Sequence, residues 1–294
     1  LMTAFAMMSD QSDMDLVNIN LGRSYFGAGN FARAIEYFAL VERGSPHWLE
    51  AQFERAWAHF RLDDMSGAIG LMLNHMSPFF DTRYYPEAEL LDTYSLFLLC
   101  KFPAATERIE HFRDNYRPIH DALENALEGM SDADLFFAVS GGASQELPTR
   151  VYLDLYGEPR LQDSAAAVAQ ADVEIETVRG VSDSSLSGHF TTLLESRRDE
   201  IVAAEGARLR GVLSGRLEAL NNMLTDTEMA RLDILRLETR LYERAAGAGE
   251  MEEARRSAQR QLRVPPDHQN WPFQGEFWAD ELGYFRVNAI SECP

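Results

Sequence analysis

The stretch of sequence that decides the fold is "DLVNINLGRSYFGAGNFARAIEYFALVERGSPHW", residues 15–48. Its Gly22, Ala34, Phe38 and Pro46 stand at the offsets of a helix-turn-helix unit of about 34 residues. Small residues recur where two helices cross closely, because the crossing leaves no room for larger side chains, and large residues fill the spaces beside it. The stretch therefore predicts one unit of an all-α repeat protein.

Two later stretches repeat this pattern. They are "LEAQFERAWAHFRLDDMSGAIGLMLNHM", residues 49–76, and "PEAELLDTYSLFLLCKFPAATERIEHFRDNY", residues 86–116. Ala68 and Ala105 align with Ala34, so the equivalent alanines are 34 and then 37 residues apart. Three consecutive units of one kind indicate a helical solenoid, because each unit buries its apolar face only against its neighbours.

The pattern resembles the tetratricopeptide repeat, with Asn18 in place of the usual tryptophan. The resemblance covers residues 15–118 and implies that the first helix of each repeat lines a concave groove, which binds a partner segment. The groove positions that it implies are Leu16, Ile19, Arg23, Phe26, Glu50, Phe53, Trp57, Phe60, Glu87, Leu90, Tyr94 and Phe97. The alternative is a place in the core between repeats, which is favoured for the three phenylalanines at 26, 60 and 97 and stays open for Trp57 and Tyr94.

The charge of the chain limits the class of partner. The net charge of −20 argues against DNA, RNA and anionic membranes, because binding to phosphates needs a concentrated basic face. No run of about 18 apolar residues is present, so direct membrane insertion is not expected. Glu50 and Glu87 at the rim of an aromatic groove favour an apolar or mildly basic protein or peptide partner.

The remainder of the chain divides by composition. Residues 1–14 form an N-terminal extension. Residues 119–183 are acidic and predict a helical cap or degenerate repeats. Residues 184–263 predict long helices, and residues 264–294 form a short aromatic C-terminal segment.

The long helices allow two arrangements. Leu213, Leu217, Leu220 and Leu224 have the spacing of a coiled-coil seam. The sequence "TDTE" at 225–228 has the spacing of a capping box, which predicts a break there and an antiparallel helical hairpin within one chain. The alternative is an intermolecular coiled coil, and hence a homo-oligomer.

The aromatic segment contains "WPFQGEFWADELGYF", residues 271–285. We expect a short helix at 276–282, closed by Gly283, and one edge strand at 284–290. Exposed aromatic side chains in this number promote association. We therefore expect them to pack on this chain, on the long helices rather than in the groove. The alternative is that they pack on a partner. The aromatic side chains concerned are Trp271, Phe273, Phe277, Trp278, Tyr284 and Phe285.

This tail is similar to those of repeat proteins of deltaproteobacteria, including one in the myxobacterial gliding-motility machinery. The similarity rests on its Trp-Pro-Phe, Gly-Glu-aromatic-Trp and Asp-Glu-Leu-Gly-aromatic sequences. Those proteins act in the cell envelope within multiprotein complexes, which implies a periplasmic or envelope-associated location. The cytoplasm is the alternative.

The chemistry-bearing residues form no recognisable catalytic set. The sequence has no HExxH, CxxC, GxSxG or Walker motif, so we expect no enzyme, no cofactor and no metal. Cys100 ends the apolar run "LFLLC", which favours a buried free thiol over a bridge to Cys293, the other cysteine. The sequence thus predicts a non-enzymatic interaction scaffold. A soluble peptide-binding chaperone or adaptor for secretion is the alternative, and an enzyme with an unrecognised site is a third.

Overall fold

The computed structural model describes residues 2–141, 146–180, 184–245, 275–287 and 289–293. In these ranges the protein is built from α-helices and forms no strand, which confirms the all-α class. A short 3-10 helix covers Pro78–Phe80. The α-helices are α1 (Met2–Gly27), α2 (Phe31–Phe38), α3 (Trp48–Arg61), α4 (Met65–His75), α5 (Pro86–Leu98), α6 (Phe102–Gly129), α7 (Asp132–Ser140), α8 (Thr149–Tyr156), α9 (Pro159–Arg179) and α10 (Ser184–Ala245).

The same turn occurs three times, between α1 and α2, α3 and α4, and α5 and α6. In each turn one residue has a left-handed backbone: Gly29 (φ 76°), Asp63 (φ 58°) and Cys100 (φ 56°). The next N–H donates to the carbonyl oxygen five residues earlier, from Asn30 to Tyr25 at 2.9 Å, from Asp64 to His59 at 3.0 Å and from Lys101 to Leu96 at 3.0 Å. The turns recur at the spacing of the three alanines, so the sequence repeat is also a repeat of structure.

The small residues predicted at the helix crossings are buried. Ala34, Ala68 and Ala105 have no exposed surface. A Cβ on Gly22 would lie 2.5 Å from the ring of Phe38, which shows how closely α1 and α2 approach. Each of the helices α1 to α4 packs against the next, and the first helices α1, α3 and α5 also contact one another in order.

The chain forms two compact units. The first contains residues 1–81, 85–112 and 226–294, and the second contains residues 82–84 and 113–225. The first unit therefore combines the three repeated turns with the last part of α10 and the C-terminal segment. In the second unit α7, α8 and α9 pack against one another.

The predicted break near Thr225 is wrong, because α10 runs without interruption from Ser184 to Ala245. The Thr225 hydroxyl donates to the carbonyl oxygen of Asn221 at 2.9 Å, which is a bond within the helix rather than a cap. Glu228 accepts from Arg231, one turn later, at 2.9 Å. A capping-box sequence in the middle of a helix thus satisfies its polar groups locally, and the hairpin does not form in the described residues.

The leucines of the predicted seam belong to the core of the second unit. Leu213 and Leu220 have no exposed surface, Leu224 is buried and Leu217 is half-buried. Arg210, on the same helix, donates to the carbonyl oxygens of residues 127 and 130 at the end of α6. These leucines are therefore covered within one chain.

The C-terminal segment, residues 275–287 and 289–293, differs from its prediction. It forms turns at 279–283 and an irregular extended chain after them, instead of a helix and a strand. Gly283 has the expected left-handed backbone, with φ 89°. The strand does not form because the backbone of this segment bonds to side chains and turns of the repeated helices, where no neighbouring strand is available. Trp271 and Phe273 lie outside the described residues.

Candidate functional site

The predicted groove begins with a charged cluster on α1 and α3. Arg23 donates to Glu50 at 2.6 Å and to Glu54 at 2.6 Å. Hydrogen bonding to Glu54 raises the pKa of Arg23, and burial opposes this effect. Because both carboxylates share this cation, the acidic rim expected from Glu50 is partly neutralised.

Three half-buried aromatic side chains follow along α3. The Phe53 and Trp57 rings have centroids 6.5 Å apart, and the Trp57 and Phe60 rings 5.5 Å apart, both edge to face. They pack against a buried cluster that includes Leu91 and Met72. Phe26, on α1, makes an edge contact with Phe31 at 5.1 Å. These side chains are neither fully buried nor fully exposed, so they support the core and still present aromatic surface to solvent.

The part of the groove on α5 is covered by this chain itself. Tyr94 and Phe97, together with Phe60, pack against a cluster that contains the buried residues Ala230 and Ile234 of α10. Burial raises the pKa of Tyr94, with a further contribution from the charge of Asp226. Leu90 is half-buried and Glu87 is exposed. An amphipathic helix of the same polypeptide therefore lies where a partner segment was expected at the third repeat.

The C-terminal segment docks on the first unit through its backbone. Arg43 donates to the carbonyl oxygens of Ala279 at 2.7 Å, Asp280 at 3.0 Å and Leu282, and its guanidinium lies 5.4 Å from the centre of the Tyr284 ring. The side chain of Leu282 is buried in a cluster with Phe38 and Trp48. One arginine thus fixes a whole turn, since its planar fork offers several donors at once.

Helix α4 supplies the next contacts. Asn74, fully buried, accepts from the N–H of Gly283 at 2.7 Å. Gly70 allows close approach of the segment, because a Cβ there would lie 2.3 Å from the carbonyl oxygen of Phe285. Ser66 accepts from the N–H of Ala289 at 3.3 Å. The segment consequently follows one face of α4 along its length.

A disulfide between Cys100 and Cys293 ends this path, which makes the expected free thiol wrong. The apolar run that contains Cys100 does not stay helical, because α5 ends at Leu98 and Cys100 occupies the left-handed turn position. The N–H of Glu292 donates to the carbonyl oxygen of Leu99 at 2.8 Å, and its carboxylate pairs with Lys101 at 2.8 Å. The bridge therefore ties the C-terminal segment covalently to the third repeated turn.

The aromatic side chains of the segment have different environments. Phe277 and Phe285 are half-buried and contact each other edge to face at 5.8 Å. Trp278 is 57% exposed and Tyr284 is 76% exposed. The described part of the segment thus packs on its own chain, as expected, but mainly on the repeated helices rather than on the long helix, and it leaves two large aromatic rings in solvent.

The sequence contained signals for some of these contacts. A glycine inside the apolar helix that contains Gly70 is typical of a close backbone approach. Asn74 is a polar residue in the apolar stretch "GLMLN" of the same helix, and a polar side chain that becomes buried needs a hydrogen-bond partner. The role of Arg43 carried no comparable signal, because an arginine in a loop is ordinary.

One group of possible metal ligands lies on α6. The ligand atoms of His120, Asp121 and Glu124 lie within 4.8 Å of one another, and His120 is buried while the two carboxylates are exposed. The Nδ1 of His120 is 3.0 Å from Asp121. Neighbouring residues on one helix meet in this way without an ion, so the expectation of no metal stays a prediction.

No match to this chain is found among protein-family models, curated protein sequences or solved structures. Among the helices that the structure describes, none combines the length and apolar character needed to cross a membrane. The class that the described residues define is an all-α protein with three repeated helical turns and a disulfide-tied C-terminal segment.

Proposed function

We propose that this protein is a non-enzymatic scaffold of the tetratricopeptide type that binds a partner segment on the first helices of its repeats. The observation that carries the proposal is the row of half-buried aromatic residues Phe53, Trp57 and Phe60 on α3. Aromatic side chains give a large contact area at a small cost in side-chain entropy, as binding hot spots require.

The repeated turns support the tetratricopeptide assignment. Three helix pairs that share one turn geometry, at spacings close to that of the repeat, are the expected product of this sequence family. The consecutive contacts of α1, α3 and α5 support a surface lined by first helices. In our proposal this surface contains no catalytic group and acts only by binding a partner.

The position of α10 restricts where a partner would bind. Ala230 and Ile234 pack in the cluster of Tyr94, Phe97 and Phe60. The partner segment would therefore lie on the part of α3 that carries Phe53 and Trp57 and on the exposed side of α1. There Leu16 is exposed, and Glu50 is half-buried and shares Arg23 with Glu54. An apolar or mildly basic segment of a few helical turns fits this surface, because it avoids burying a like charge beside the carboxylates.

The disulfide supports a location in the bacterial cell envelope. Disulfides persist in oxidising compartments such as the periplasm and are rare in the cytosol. Cys100 and Cys293 are the two cysteines of the chain and are bridged to each other. A soluble cytosolic chaperone or adaptor for secretion, the alternative function, would work with these thiols reduced. Trapping of free thiols in intact cells, followed by mass analysis, separates the two locations.

The binding surface is tested by Trp57→Ala. The variant should weaken binding of a crosslinked and identified partner by about 2 kcal/mol, or roughly 30-fold in Kd, the scale of a hot spot. A photocrosslinking residue at Leu16 identifies the partner, and titration of the purified pair gives the Kd. Phe79→Ala is the matched control, since Phe79 is an aromatic residue that is 55% exposed in the 3-10 helix. Equal affinities of the two variants, with both folded, would exclude this surface.

Self-association through the long helix is a separate proposal. With the seam leucines covered, the large apolar side chains of α10 that are exposed in the described residues include Leu186, Phe190, Leu193, Met229, Leu232 and Leu235. Light scattering over a range of concentrations distinguishes a monomer from a homo-oligomer.

A further inference from the structure

Two arginines lie close together beside helix α4. The glycines at 67 and 70 are one turn apart and share a face of this helix. A Cβ on Gly67 would lie 2.4 Å from the Nδ1 of His59, and a Cβ on Gly70 would lie 3.3 Å from the Cα of Arg286. Arg55 precedes His59 by one turn of α3, so it lies on the same side of α3. Helices α3 and α4 and the C-terminal segment therefore bring Arg55, His59 and Arg286 to one place.

The arginine on α3 has no counter-charge in the part of the chain that the structure describes. Arg55 is half-buried, and its Nε is inaccessible to solvent and has no hydrogen-bond partner. Within the described ranges, neither Arg55 nor Arg286 forms an ion pair with a carboxylate. The contrast is Arg108, which donates to the buried Asp92 at 2.8 Å. In a chain of net charge −20, two neighbouring arginines that form no ion pair within the described residues are unexpected.

Burial and the charges of both arginines affect the pKa of the neighbouring His59. Burial lowers the pKa of His59, and the charges of Arg55 and Arg286 lower it further. Asp64 opposes them, with its carboxylate 2.7 Å from the Nδ1 of His59. That carboxylate is already committed, because it also caps α4 by accepting from the N–H of Gly67 at 3.0 Å. The charged groups around His59 are therefore two arginines and one carboxylate, and the carboxylate is already bonded to His59 and to the start of α4.

We propose that Arg55 and Arg286, with His59 beside them, form a binding site for a small oxyanion of the phosphate type. The buried Nε of Arg55 lacks an acceptor, which is unfavourable, and a bound anion would supply one together with a counter-charge. The guanidinium fork matches the oxygens of a phosphate group with two parallel hydrogen bonds. Arg286 is exposed, so the site opens to solvent on the side of the C-terminal segment.

The segment that carries Arg286 is held on both sides. The Gly283 N–H bond to Asn74 fixes it before Arg286, and the bridge from Cys293 fixes it afterwards. The second cation is thus positioned before any ligand arrives, which lowers the entropy cost of binding. The overall negative charge of the chain repels large polyanions, so we assign the site to a free small anion rather than to an anionic lipid surface.

The site is distinct from the proposed partner surface. Arg55 follows Phe53 by two residues, as His59 follows Trp57, and two residues correspond to about 200° around a helix. The anion would join α3 and α4 to the C-terminal segment on the opposite side of α3. Its binding therefore neither requires nor tests the interaction at the aromatic row.

The test is titration of the full chain with inorganic phosphate at pH 7.5 and constant ionic strength, with sodium chloride as the reference salt. The unfolding temperature should rise with phosphate in a saturable manner. The variant Arg286→Gln should weaken binding of phosphate at least fivefold. In NMR spectra, phosphate should also raise the pKa of the His59 ring, assigned with the His59→Gln variant, because the anion offsets the two positive charges.

Arg83→Gln is the matched control, because Arg83 is exposed and forms no ion pair within the described residues. It should bind phosphate like the unmodified chain. An equal loss in both variants would mean that phosphate acts through general charge, and a response without saturation would mean that no site exists. Vesicles of phosphatidylcholine with phosphatidylglycerol should not bind, and binding that depends on Arg286 would reassign the site to a lipid headgroup. Each of these three results overturns the proposal.

Discussion

Removal of the disulfide by Cys293→Ser should destabilise the first unit substantially. The bridge joins residues that are 193 positions apart in the sequence. In the chain-entropy description, closing a loop of this length in the unfolded state is worth about 5 kcal/mol at 25 °C. Measured values are more often about 2–4 kcal/mol, because unfolded chains retain structure. We therefore expect a loss of about 2–5 kcal/mol in the free energy of unfolding.

The assay is urea unfolding followed by circular dichroism, with and without a reducing agent. Reduction of the unmodified chain should lower its stability to that of Cys293→Ser, and the variant itself should not respond to reduction. Glu292→Gln is the matched control, because it removes the partly exposed ion pair with Lys101 and keeps the bridge. Exposed pairs contribute at most about 1 kcal/mol, so this variant should stay close to the unmodified chain.

Two results would refute this reasoning. One is a Cys293→Ser variant that unfolds at the same urea concentration as the oxidised chain. The other is a mass spectrum of the unreduced chain that shows two free thiols after alkylation. Either would mean that the docking of the C-terminal segment rests on its noncovalent contacts, such as those of Arg43, Asn74 and Ser66.

Two further predictions concern α4. Gly70→Ala should displace the C-terminal segment, because the new Cβ would lie 2.3 Å from the carbonyl oxygen of Phe285. Hydrogen exchange at the N–H of Gly283 should then become faster. Gly27→Ala is the control, because a Cβ on Gly27 meets no atom within 4 Å, and it should leave this exchange rate unchanged. Burial lowers the pKa of His75 to about 3, below the unfolded value of 6.5, so its contribution to stability is present above pH 6.5 and is lost as the pH falls towards 3. At pH 5 this loss is about 2 kcal/mol, and His75→Phe should abolish it; equal acid sensitivity of the two chains would contradict the assignment.

The repeated helices could be predicted because their determinants are local and periodic. Ala34, Ala68 and Ala105 mark the close crossings by their size alone, and the structure buries all three completely. The all-α class follows from the same periodicity. The continuity of α10 could not be predicted from "TDTE", because a threonine hydroxyl that would accept from a backbone N–H at a helix start can instead donate to a carbonyl oxygen inside a helix, as Thr225 does to Asn221.

The path of the C-terminal segment could not be predicted from the sequence for a different reason. Its contacts join residues more than 190 positions apart, as in the bond of Gly283 to Asn74 and the bridge of Cys293 to Cys100. Short-range patterns carry no information about such pairs. Its alternating residues resemble a strand, but a strand needs a neighbour, and the segment meets only helices and turns in the described part of the chain.

The contacts of the third repeat indicate that it has a different role from the first two repeats. Ala230 and Ile234 of α10 pack in the same cluster as the side chains of α5 and α6, and Val287 and Ala289 of the C-terminal segment join that cluster. The disulfide at Cys100 adds a covalent tie to the same turn. Surface that is already buried gives no further hydrophobic gain when a partner arrives, so a partner that bound there would first have to displace these contacts. Phe53 and Trp57 of α3 do not pack in that cluster, and this is the physical reason why we propose partner binding at these side chains and a structural role for the third repeat.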